Sequence, residues 1–218
     1  MAAQTLETLL LSTGRFIPAE PLLAKRLAQA RTDGSLALVY RKLQSLLTRV
    51  ADRSAALDML ARLAEPDARE PAARLAVGAV AMAADKPDRA LAEAKAAMAL
   101  EPANPEPAMA AARYASQAED PAQARAILAD FLERNPDATD ARFMLARLLM
   151  ADGDADAARE QFEHALASRP EDPTILFSLG QLAYQTGQPD VAEDYLKRYV
   201  ALPSTVRRSN DPAYMFLG

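Results

Sequence analysis

The chain has 218 residues, a formal net charge of -5, half of its residues in the hydrophobic class, no cysteine and no tryptophan. Most of the hydrophobic half is alanine and only 6% of residues are aromatic, which argues against a thick globular core, and the scarcity of valine and isoleucine argues against sheet. With one histidine, His164, and no thiol, there is no disulfide framework, thiolate nucleophile, Cys/His zinc site or histidine-based triad, and the net acidity speaks against a nucleic-acid partner.

No apolar run approaches the roughly 18–20 residues that span a bilayer. The start, Met1 to Glu7, lacks the basic region and apolar stretch of a secretory signal. No glycine-rich phosphate loop is present, so the reading includes no cofactor and no catalytic residue.

Pro102, Pro136 and Pro170 are spaced by 34 residues, and Pro203 follows after 33. This periodicity divides the chain, in order, into a degenerate copy at 1–36, full copies at 37–70, 71–104, 105–138 and 139–172, a copy at 173–203, a connector at 204–210 and the start of a further copy at 211–218. In the first copy Leu6, Leu9 and Leu10 are expected to form an apolar face, Gly14 the turn, and Ala19, Leu23 and Leu27 the second helix.

In the blocks beginning at Ala37, Pro71, Pro105, Thr139 and Pro173, position 20 is alanine in all five: Ala56, Ala90, Ala124, Ala158 and Ala192. Position 24 reads Leu60, Ala94, Leu128, Phe162 and Leu196, and position 27 reads Leu63, Ala97, Phe131, Ala165 and Tyr199. Position 8 includes Gly78, Ala112, Ala146 and Gly180, so small residues face each other across two helices and larger ones fill the space beside them. Pro87, Pro121 and Pro189 at position 17 start second helices, and Pro71, Pro105 and Pro173 start first helices, two of them after the N-cap residues Asn104 and Asp172. Gly153 and Gly187 at position 15 suit the left-handed turn between the helices.

This pattern resembles the tetratricopeptide repeat, most clearly in Thr139–Asp172, with Leu145, Ala146, Gly153, Ala158, Phe162 and Ala165, and in the copy that begins at Pro173. The resemblance implies an all-α fold, an α-solenoid in which antiparallel helix pairs stack into a right-handed superhelix. Position 4 departs from the family's large aromatic residue with Arg74, Ala108 and Arg142, which is expected to weaken packing in those copies. The last eight residues place Tyr214 at position 4 and Gly218 at position 8 of another first helix, so the chain reads as a fragment of a longer array. An open stacking end of that kind would favour self-association.

In the family the concave groove is lined by positions 2, 5, 9, 12 and 13 of the first helices and holds a protein segment. Here position 5 gives Arg41, Leu75, Met109, Phe143 and Phe177, position 9 includes Arg113, Arg147 and Gln181, and position 12 includes Met82, Met150 and Tyr184. These are residue types enriched in binding hot spots. Counted together with position 6, these columns carry Arg41, Lys42, Arg49, Arg113 and Arg147 against Glu106 and Asp140, a surplus of three positive charges that favours an apolar partner segment with acidic groups. The chaperone-carboxylate clamp of the family is not matched. Asp152, Asp154 and Asp156 read as turn chemistry and His164 as a solvated outer residue.

The reading is therefore a non-catalytic interaction module, with no membrane span in this chain. An accessory repeat domain of a larger enzyme, such as a glycosyltransferase or peptidase, is the alternative. The alanine-rich array also resembles large bacterial repeat proteins of the cell envelope.

Overall fold

The computed structural model describes residues 2–203, with side chains from Leu6 onward. The connector expected at 204–210 and the truncated copy expected at 211–218 lie outside the described residues. Among the described residues the fold is all-α, with twelve α-helices, one short 3-10 turn at Glu65–Asp67 and no strand. The first four helices are α1 (Ala2–Ser12), α2 (Phe16–Asp33), α3 (Leu36–Leu47) and α4 (Arg53–Ala64). They are followed by α5 (Pro71–Ala83), α6 (Pro87–Leu100), α7 (Pro105–Gln117) and α8 (Pro121–Arg134). The last four are α9 (Thr139–Ala151), α10 (Ala155–Ser168), α11 (Pro173–Gln185) and α12 (Pro189–Ala201).

Local chemistry explains the starts. Proline occupies the first turn of α5, α6, α7, α11 and α12, where a missing N–H has no helical partner to lose. The Asn104 side chain accepts from the Glu106 N–H at 3.0 Å, and Asp172 accepts from Thr174 and Ile175 at 2.8 and 3.2 Å, so both cap their helices. Asp52 and Asp154 do the same for α4 and α10.

The chain forms two compact units, Met1–Ala124 and a second from Arg125 onward. In the first unit α5 packs on its partner α6, on the preceding second helix α4, and beside the first helices α3 and α7. Position 20 is at most 2% exposed in every copy, which is why alanine recurs there: any larger side chain would push the paired helices apart. In the second unit the approach is closer still at Gly180, where a Cβ would stand 2.7 Å from Cγ of Leu196. Around it Phe162, Leu176, Leu179, Leu196 and Tyr199 form a continuous apolar core.

Glycine supplies the left-handed turn between helices at Gly153 (φ 84°) and Gly187 (φ 70°). The same block position holds Asp85 (φ 58°) and Glu119 (φ 61°), where a side chain is strained. Glu119→Gly is therefore expected to raise stability by roughly 0.5–1 kcal/mol, relief of the left-handed strain being partly offset by the greater freedom of the unfolded glycine chain. Asp85→Gly should give less, since aspartate tolerates this conformation better. Urea unfolding of each variant followed by circular dichroism checks both.

Two expectations change. At position 4, Arg74 and Arg142 do not leave packing gaps but form the same polar brace in two copies. Arg74 donates to Glu93 at 2.8 Å and to the Ala68 carbonyl at 2.9 Å, and Arg142 donates to Gln161 at 2.8 Å and to the Pro136 carbonyl at 2.6 Å. Each guanidinium thereby ties its own second helix to the turn preceding its first helix. In α1 the inward face is Glu7, Leu10 and Leu11, whereas Leu6 and Leu9 are 48% and 58% exposed. Glu7 turns inward because it accepts from Arg26 at 2.7 Å, a pairing that an apolar pattern does not reveal.

Candidate functional site

Positions 5, 9 and 12 lie four and three residues apart, so a first helix presents them on one face. In the first unit Arg41 on α3 is exposed, Leu75 and Met82 on α5 are half-buried, and α7 carries half-buried Met109 with exposed Arg113. In the second unit α9 carries half-buried Phe143 and Met150 on either side of exposed Arg147, and α11 carries half-buried Phe177 and Gln181 with Tyr184 53% exposed. Among the described residues Arg41, Arg113 and Arg147 make no hydrogen bond or ion pair.

The apolar members are held from below. The Phe143 ring lies 5.5 Å from that of Phe162, and Phe177 lies 5.6 Å from Tyr199, both in tilted contact. Phe143, Met150 and Phe177 thus pack on the core of the second unit while keeping part of their surface open. Anchored rings of this kind lose little side-chain entropy on contact with a partner.

The charges are less uniform than the sequence columns suggest. Asp140, one of the two acids counted there, is engaged by Arg169 at 2.7 Å. In the first unit a cleft of about 220 Å³ opens between the starts of α3, α5 and α7. Arg41 and Leu75 line it, as do Glu70, Glu101 and Glu106. Glu70 and Glu101 belong to the turns before α5 and α7, outside the groove columns, so position-by-position reading misses them. A second, larger cavity of about 420 Å³ borders α4, α5 and α6. Two of its three arginines are engaged, Arg74 with Glu93 and Arg62 with Glu20 at 2.9 Å.

The remaining chemistry is structural. Asp154 caps α10, Asp152 pairs with Arg125, and Asp156 sits 3.6 Å from Arg159. Among the described residues no group of three or more His, Asp or Glu side chains is arranged to hold a metal ion. His164 is exposed on α10. No helix among the described residues is long and apolar enough to cross a membrane.

Paired helices with buried alanine contacts and a partly open first-helix face define a helical-repeat protein. Family models of the tetratricopeptide repeat match residues 115–161 and 143–206. Residues 115–206 thus match the tetratricopeptide repeat, and the all-α fold is of the solenoid type built from such repeats. A solved structure of MamA is 19% identical with a TM-score of 0.57, covering 77% of this chain and 91% of that one. MamA from Desulfovibrio magneticus RS-1, residues 41 to the end, is 16% identical with a TM-score of 0.57, covering 75% and 93%. YrrB, described as a tetratricopeptide repeat protein with an unusual peptide-binding site, is 19% identical with a TM-score of 0.56, covering 86% and 95%. At these identities the likeness establishes the fold. No curated protein matches the chain by sequence.

Proposed function

We propose that this chain is a non-catalytic interaction scaffold that holds an extended or helical segment of another protein on the faces of its first helices. The observation that carries the reading is the pairing of unengaged, exposed arginines with half-buried apolar side chains: Arg147 between Phe143 and Met150, both packed on the core of the second unit, and Arg113 one turn after Met109. An arginine in that setting binds a carboxylate through two parallel hydrogen bonds while the apolar neighbours exclude water. Methionine beside it adapts to different ligand shapes. The partner segment is therefore apolar with acidic groups where it meets Arg113 or Arg147. The tetratricopeptide repeat matches over residues 115–206 support the reading, as does the peptide-binding site in the description of YrrB.

The test uses the full chain as bait in a peptide-display selection, followed by affinity measurement of the selected peptides by fluorescence anisotropy. Arg147→Glu, and separately Arg113→Glu, are expected to weaken binding of acidic apolar peptides at least tenfold, about the loss of one charged hydrogen bond. Unchanged affinity in both variants would remove the first-helix faces from the account.

A further inference from the structure

We infer that the cleft of the first unit receives a basic side chain of the partner, so that the bound segment carries a lysine or arginine as well as acidic groups. The inference rests on the proposed first-helix site and adds a chemistry opposite in sign to the net charge of the groove columns. The cleft is lined by three acidic residues, Glu70, Glu101 and Glu106, and one basic residue, Arg41, a surplus of two negative charges in a region whose sequence columns are basic. None of the three carboxylates forms an ion pair among the described residues, and Arg41 lines the same cleft without pairing to any of them. Glu101 accepts one neutral hydrogen bond, from Asn104 at 2.6 Å.

Size and lining narrow the occupant. At about 220 Å³ the cleft falls below the roughly 300–1,000 Å³ usual for small-molecule sites and suits a single long side chain. Leu75, Pro71 and Ala72 supply an apolar wall for a methylene stem, and the glutamates lie within the same opening for a charged head. Lysine and arginine combine those two needs in one side chain. An acidic group would meet surplus negative charge there, and an aliphatic one would make no use of the glutamates.

The experiment titrates the full-length ¹⁵N-labelled chain with Nα-acetyl-arginine amide, and in parallel with Nα-acetyl-norleucine amide and Nα-acetyl-aspartate amide. The arginine probe is expected to give saturable amide shifts at Ala72, Leu75 and Glu106, and the other two none. The double variant Glu70→Gln/Glu106→Gln, checked for native helicity by circular dichroism, should weaken the arginine probe at least about fivefold. Absence of saturable shifts at the cleft, equal response to norleucine, or an unaffected double variant would each overturn the inference. If the cleft fails while Arg147→Glu still weakens selected peptides, the first-helix reading stands and only the basic anchor falls. If the probe titrates while both arginine reversals leave affinity unchanged, the cleft stands as an isolated site.

Discussion

Phe162→Ala is expected to destabilise the second unit by about 3–5 kcal/mol, the usual range for deleting a buried aromatic ring. The ring is fully buried on α10, within a cluster that includes Ala146, Ala158 and Ala165. Those neighbours are already small and sit on helices held at close approach, so little can move in to fill the space. The loss should appear as a lower urea midpoint and as faster amide exchange in α9, α10, α11 and α12. A functional consequence is also expected, because Phe143 rests on this ring at 5.5 Å. Without the support Phe143 settles inward, and selected peptides should bind more weakly even where the variant remains folded.

Asp67→Ala is expected to cost about 3 kcal/mol, the low end for breaking a buried charged pair, because Arg31 is about one-third exposed and regains water. Asp67 itself is almost wholly buried. It accepts two hydrogen bonds from Arg31, at 2.6 and 2.9 Å, and a third from the Tyr40 hydroxyl at 2.6 Å, linking α2, α3 and the turn after α4. Burial acts to raise the Asp67 pKa, but the Arg31 and Tyr40 hydrogen bonds outweigh it and hold the carboxyl below its ordinary value of 3.8. The unfolded chain therefore binds the proton more readily than the folded one. The stabilisation is fully present above 3.8 and is lost as pH falls through the lower folded value. Burial, and then the Asp67 hydrogen bond, push the Tyr40 phenol above 10.0, so its contribution is present below that value and declines at more alkaline pH. Urea midpoints measured from pH 3 to 7 should fall toward acid in the parent chain. Asp67→Asn should start lower and lack this residue's share of the slope; an unchanged slope would show that the carboxylate does not contribute.

The parts of the fold legible in the sequence are those where one residue type meets one geometric demand in every copy. Position 20 needs the smallest side chain that still favours a helix, and alanine recurs there. Asn104 and Asp172 precede helix-starting prolines and cap as such residues do. Less legible were features in which one demand has several chemical solutions. Asp85 and Glu119 adopt the glycine conformation without being glycine. Arg74 and Arg142 look like lost aromatics, yet their guanidinium groups bridge the same two elements. Arg31 and Asp67 lie 36 residues apart, and Arg31 belongs to the degenerate first copy, so no column aligns them. The first-helix columns located Arg41 and Leu75, but Glu70 and Glu101 enter the cleft from turns and reverse its local charge. The pairing of Asp140 with Arg169 depends on the approach of the end of α10 to the start of α9, which residue positions do not convey.

The most direct test of the central claim is amide hydrogen exchange of the full chain with and without a saturating selected peptide. The account predicts added protection on the first helices, at residues near Arg113 on α7 and near Phe143 and Arg147 on α9, with α6 and α10 little changed. Protection confined to the second helices α4, α6, α10 and α12 would contradict it.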